Sequence, residues 1–310
     1  MDQMNCLSPP IPVMLGSLAC LLGYSLLLIL IIKRKLFKEP QYLFLANLSA
    51  NNIAMALCHI ARVSTLPANL ITLSDIMDFS INFFARGFLV WTMVLSINRY
   101  LAITKCLRYP LIMKRSRIVA VIIISFVISG LLCALSYAED HFDSKLLCYL
   151  LLQRHMHKLS LLLLIICTVV VSISTSCAVH TSAKRQRKAI MSQIRSLYGE
   201  KSERMDTIKR QQMKTRGILI MTCIFNAFFI PTICVWCKIY IGDSSDRVLV
   251  VSAHIFIAAY ILISPFMYIA TLKPLNQALW RLVRSSMLWC DMDLAQPFGG
   301  DNRVAVFNLN

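Results

Sequence analysis

Apolar segments recur along this chain with a regularity that a soluble globule could not bury. Seven stretches, at about 13–32, 41–65, 75–101, 118–137, 159–180, 217–239 and 248–272, carry few charges and are separated by short polar segments. About 20 apolar residues wound as a helix cover the ~30 Å of a bilayer's hydrocarbon, so each stretch is long enough to span it. The composition agrees: 57% of the 310 residues are hydrophobic and 15% are charged, with a mean hydropathy of +0.65. A soluble domain has a charged share nearer a quarter. The reading is an all-α membrane protein, a seven-transmembrane helix bundle. A last segment, 273–290, places Leu275, Leu279 and Leu282 at helical spacing among basic residues. It reads as an amphipathic helix lying on the membrane surface.

The net charge of +17 is distributed by topology rather than gathered on a soluble face. Residues 33–40 hold Lys33, Arg34, Lys35 and Lys38 against Glu39, and 102–117 hold five cations and no acid. Residues 181–216 carry eleven Lys and Arg against Glu200, Glu203 and Asp206, while 138–158 are balanced. Odd-numbered loops are therefore expected in the cytoplasm. The expected layout is a short extracellular N terminus at 1–11, a membrane domain at 12–272, the surface helix at 273–290 and a cytoplasmic tail of disordered composition at 291–310. The same distribution argues against a nucleic-acid partner, whose binding face would be soluble and basic.

Most of the twelve Cys lie within apolar runs, where the thiol packs as a small hydrophobe. Cys234 and Cys237 form a Cys-x-x-Cys pair with no second pair or His beside it, so neither a metal nor another cofactor is expected. No nucleophile stands with a base and an orienting group, so an enzyme is not expected. The spans hold few carboxylates and the two halves do not repeat, which disfavours a carrier or channel.

Four motifs sit at helix ends. Asn98-Arg99-Tyr100 closes the third span and is followed by Cys106-Leu107-Arg108-Tyr109-Pro110-Leu111-Ile112-Met113. Asn47-Leu48-Ser49-Ala50-Asn51-Asn52 lies in the second, Phe228-Phe229-Ile230-Pro231 in the sixth, and Ser264-Pro265-Phe266-Met267-Tyr268 in the seventh. Together these resemble the motif set of rhodopsin-like (class A) G-protein-coupled receptors. The resemblance spans about residues 12–290. Glu39-Pro40-Gln41-Tyr42-Leu43-Phe44-Leu45-Ala46-Asn47-Leu48-Ser49 and the 106–113 segment are similar to olfactory receptor signatures. Lys214-Thr215-Arg216-Gly217 departs from the olfactory sixth-helix pattern, so the chain looks like a divergent odorant-type or orphan receptor.

The resemblance implies a plasma-membrane receptor that binds a small molecule, an odorant among the candidates, and activates a heterotrimeric G protein. Alternatives are a receptor-shaped protein that does not signal, and a small carrier or channel. Arg99 would meet a helix tail of the G protein, and Leu107 would pack into an apolar groove on it. Pro231 and Pro265 remove backbone donors and should kink their helices. Tyr268 either bonds within an opened cavity or belongs to an interfacial aromatic belt. Asn98 stands where the family has an acid, so the restraint on Arg99 is expected to be weaker. Asn52 and Ser264, near Phe88 and Tyr260, replace groups that hold sodium in many relatives. The family's outer disulfide has Cys148 as its loop candidate. Its other partner is absent at Ser74, and Cys6, Cys237 or a free Cys148 stay open. Cys290 beside Trp289 is a candidate palmitoylation site.

For the ligand, the third span offers Asp75, Asp78, Asn82 and Arg86 at spacings of three and four, expected on one inward face. Arg86 would meet an anionic or strongly polar group, or pair with Asp78 or Asn82 as internal structure. Phe229, Trp236 and His254 are further wall candidates, with helix packing as the plainer role of each. Ile81 stands where amine receptors carry Asp, so an amine held by that carboxylate is not expected.

Overall fold

The computed structural model describes residues 10–65, 71–105, 108–141, 147–196, 217, 220–235, 237–238 and 247–294. Every element within them is helical. The helices are α1 (Pro10–Lys33), α2 (Pro40–Thr65), α3 (Ile71–Thr104), the single turn α4 (Tyr109–Ile112), α5 (Arg115–His141), α6 (Leu147–Ser196), α7 (Ile220–Val235), α8 (Arg247–Thr271) and α9 (Lys273–Leu294). α2 opens on Pro40, whose missing N–H is harmless in the first turn. α1 ends on Lys33, a cation at the negative end of the helix dipole. Between them Lys35 takes a left-handed conformation with φ 52°, and a 3₁₀ turn over Leu36–Lys38 returns the chain to the bundle.

Five helices are long and apolar enough to cross a membrane among the described residues, and the bent pair α8–α9 makes a sixth. The described part of α7 is apolar but shorter. Each of the seven apolar stretches falls on a helix wherever it is described. Several bounds are corrected. α6 runs 50 residues, through parts of both segments expected as loops on either side of 159–180. Those flanks are charged but rich in Leu, Gln, Lys and Arg, which hold a helix well in water and leave no apolar signature of it. The surface helix also runs to Leu294, past the expected end at 290. It turns 92° from α8, with Leu275 and Ala278 buried against the bundle and Trp280 outward.

α3 is the central post, packed against α2, α5 and α6, while α1 lies between α2 and α8. Trp91 on α3 is fully buried, edge-on to Phe126 with ring centroids 5.6 Å apart. Lipid is as apolar as a Leu core, so close packing rather than water exclusion must hold such helices together. Gly87 shows how close. A Cβ there would lie 2.5 Å from Oδ1 of Asn51, whose Nδ2 donates to the Phe84 carbonyl at 2.8 Å. Many hydroxyls within the spans return to their own helix. Ser49 donates to the Leu45 carbonyl, Thr92 to Phe88 and Thr168 to Leu164, each at 2.7–2.8 Å.

Candidate functional site

Three helices meet at Arg99, in the last turns of α3. Its guanidinium carbon lies 5.3 Å from the centroid of the Tyr268 ring on α8, a cation–π contact. Its Nη2 approaches Sδ of Met221 on α7 at 4.0 Å, and the Thr271 hydroxyl, which donates to the Met267 carbonyl at 2.7 Å, lies 3.2 Å from the same sulfur. The partners of Arg99 are thus a ring face and a thioether. The one ion pair among the described residues lies elsewhere, between Arg62 and Asp78.

Asn98 beside it is 1% exposed. Its Oδ1 accepts the Tyr109 hydroxyl at 2.9 Å, tying α3 to α4, and its Nδ2 has no partner among the described residues. Burial pushes the Tyr109 phenol up to about 12, and the Glu39 carboxylate adds to this. Tyr109 therefore stays protonated, and a donor, at any physiological pH. Tyr100 is half-buried, and its carbonyl accepts the Thr104 hydroxyl at 2.7 Å. Leu107 lies outside the described residues.

Higher in the bundle, Phe229 is fully buried in a ring cluster. Its centroid is 4.3 Å from that of Phe225, 5.5 Å from Tyr260 and 6.4 Å from Phe88. Pro231 follows half-buried on α7, and Pro265 is buried within α8. Asn52 is fully buried, its amide donating to the Leu48 carbonyl and its Oδ1 without a partner among the described residues. The Ser264 hydroxyl meets Tyr24 at 2.5 Å and the Ile261 carbonyl at 3.2 Å. One neutral amide oxygen and a committed hydroxyl, set among rings, do not fit a sodium ion, which needs charge and several free oxygens.

The inward polar face expected on α3 divides between two environments. Asp78 turns to Arg62 of α2, Nε to Oδ1 2.7 Å, with both side chains two-fifths exposed. Asn82 is exposed, its amide donating to the backbone carbonyl of Asp78 at 3.0 Å. Arg86 is 2% exposed and lies in hydrogen-bonding contact with Cys133 of α5. Each four-residue step rotates only ~40° round a helix, so the three lie on one ~80° stripe, and depth divides them: Asp78 and Asn82 stand near the open end of the bundle and Arg86 lies up to two turns deeper. Cys237 is a free thiol. Trp236 and the side chains of His254, Cys148 and Cys290 lie outside the described residues.

Sequence reasoning did not single out Arg62, Met221 or Tyr24, and took Tyr109 only as part of a motif. Arg62 and Asp78 on neighbouring spans were a legible opposite-charge signal. The other contacts join residues 11 to 240 positions apart, which no local spacing encodes.

A helical bundle built round one buried post, with an arginine held between three helices at one end and a helix turned 92° from the last span, defines a multi-pass membrane protein of receptor architecture. The family model described as 7 transmembrane receptor (rhodopsin family) matches residues 23–268, and the chain belongs to that family. Its fold is similar to the crystal structure of squid rhodopsin, with TM-score 0.69 and 13% identity over 93% of this chain and 91% of that one. Comparison with curated protein sequences gives no match.

Proposed function

We propose that this chain is a plasma-membrane receptor, N terminus outside, that takes a small molecule within the bundle and activates a heterotrimeric G protein at its Arg99 end. The observation that carries this reading is the restraint on Arg99. A ring face and a thioether hold it, and no carboxylate pairs with it among the described residues. Both contacts come from helices that carry a proline within the span, Met221 on α7 with Pro231 and Tyr268 on α8 with Pro265, and a proline weakens the helix where a movement of its end can begin. A partner helix offering carbonyl oxygens at its C terminus would compete well for a guanidinium held so softly.

The ligand reading rests on Arg86. A cation so deep in a bundle is costly, and an anionic or strongly polar ligand group, as in a carboxylate odorant, would offset that cost. Asp78, Asn82, Phe229, Trp236 and His254 remain the proposed surroundings. The similarity of residues 39–49 to olfactory signatures supports a chemosensory role.

The test is nucleotide exchange on a panel of purified G-protein heterotrimers, with the purified chain in nanodiscs screened against anionic and neutral odorants. Ligand-stimulated exchange, lost in Arg99→Ala, is expected. A folded chain that drives no exchange on any heterotrimer overturns the reading. Arg86→Met should abolish responses to anionic compounds and spare neutral ones; equal loss of both would make Arg86 structural.

A further inference from the structure

Pro265 carries no N–H, so the Ile261 carbonyl, four residues earlier in α8, loses its helical donor. In a bilayer such a group cannot turn to bulk water and needs a partner within the protein. The Ser264 hydroxyl supplies it, donating to the Ile261 oxygen at 3.2 Å. That uses the only hydrogen Ser264 Oγ has. With that hydrogen assigned to Ile261, Tyr24 is the donor in the 2.5 Å contact between Ser264 Oγ and the Tyr24 hydroxyl, in which either oxygen could donate by distance alone. Both residues are fully closed off, Tyr24 at 0% and Ser264 at 1% exposure. The hydrogen bonds therefore run one way, from Tyr24 on α1 through Ser264 to the carbonyl that the proline orphans.

The neighbouring residue gives this contact a fixed seat. A Cβ on Gly23 would lie 2.9 Å from Cγ of Pro265, so only glycine admits the proline ring so close to α1. α1 thus meets α8 at Pro265 twice, sterically at Gly23 and by a hydrogen bond at Tyr24. One turn beyond Pro265 lies Tyr268, whose ring holds Arg99.

We infer that Tyr24 is a positioning residue for the α8 hinge. Its hydroxyl, acting through Ser264, holds α8 at Pro265 in the form that presents Tyr268 to Arg99. The consequence for signalling rests on the receptor reading above; the hinge contact itself does not.

The test uses the full chain in nanodiscs with trifluoromethyl-phenylalanine in place of Phe266, which is exposed and next to Pro265. Tyr24→Phe keeps the ring and removes the donor, and should shift the fluorine resonance. Ser264→Ala should shift it as well, and the double variant should match Ser264→Ala alone. Ser264→Thr, which keeps the hydroxyl, should restore the wild-type position. In a Pro265→Ala background the backbone N–H returns to Ile261, so adding Ser264→Ala should change nothing further. An unmoved resonance in Tyr24→Phe, or shifts that simply add, would overturn the inference. Should Tyr24→Phe not fold, the Ser264→Ala and Pro265→Ala comparison decides the same point. Agonist-independent nucleotide exchange per folded receptor should rise about fivefold in Tyr24→Phe, the population factor of one hydrogen bond. Coupled fluorine shifts with flat exchange would leave the hinge standing and overturn its consequence for signalling; raised exchange without coupled shifts would overturn the hinge, and no ligand-stimulated exchange in the wild type would overturn the receptor reading alone.

Discussion

Asn98 concentrates what distinguishes this chain at the residue scale. An amide offers one acceptor and one donor pair, and here the acceptor is taken by Tyr109 while Nδ2 has no partner among the described residues. A carboxylate at the same place could keep the Tyr109 bond on one oxygen and turn the other toward the adjacent guanidinium. Charge-assisted bonds of that kind are about twice as strong as neutral ones. Asn98→Asp is therefore expected to lower agonist-independent nucleotide exchange about fivefold at equal amounts of folded receptor, a shift of ~1 kcal/mol in the resting equilibrium. Unchanged exchange would mean that residue 98 does not restrain Arg99. The missing acid is visible in the sequence, because it breaks a motif. What replaces it is not, since Met221 and Tyr268 reach Arg99 only through tertiary packing.

At the scale of elements, close contact between helices does the work that water exclusion does in a soluble core. The α2–α3 seam depends on Gly87, where a Cβ would fall 2.5 Å from Asn51 Oδ1. Gly87→Ala should push the two helices apart and cost Asn51 its bond to Phe84, destabilising by about 1–3 kcal/mol. A fall of several degrees in the apparent melting temperature of solubilised protein would show it; an unchanged value would mean that the seam relaxes freely. The middle of the bundle makes a second point. Asn52 supplies one free neutral oxygen and Ser264 none. Melting temperature should therefore be the same in sodium chloride and in choline chloride at equal ionic strength, and a clear rise in sodium would contradict this donor set. The spans were legible because twenty apolar residues have few other uses. The extension of α6 to Ser196 was not, because Lys184, Arg185 and Lys188 suit a solvated helix and a solvated loop equally.

Across the whole molecule the apolar residues are turned outward as well as inward. α5 exposes Ile123, Ile124, Val127, Leu131 and Leu135, and α1 exposes Leu15, Leu18, Leu22 and Ile29. Stripes of this size in water would drive aggregation, and in a bilayer they meet acyl chains. This polarity also sets the placement of α9. Its buried side packs Leu275 and Ala278 against the bundle, its 92° turn carries it across the end of α8, and Trp280 is 66% exposed. Lys273, Arg281 and Arg284 on the same helix are exposed too, which suits a helix lying at headgroup level with its ring dipping below. An interfacial helix buries its apolar face only about 5–10 Å deep. Trp280 should then be quenched more by lipids brominated high on the acyl chain than by lipids brominated near its end. The Trp280 signal is isolated as the difference between wild type and Trp280→Phe in the same vesicles. Stronger quenching by the deep label would place α9 inside the hydrocarbon, and no quenching by either would lift it into water, so each result would refute an in-plane helix by a different route.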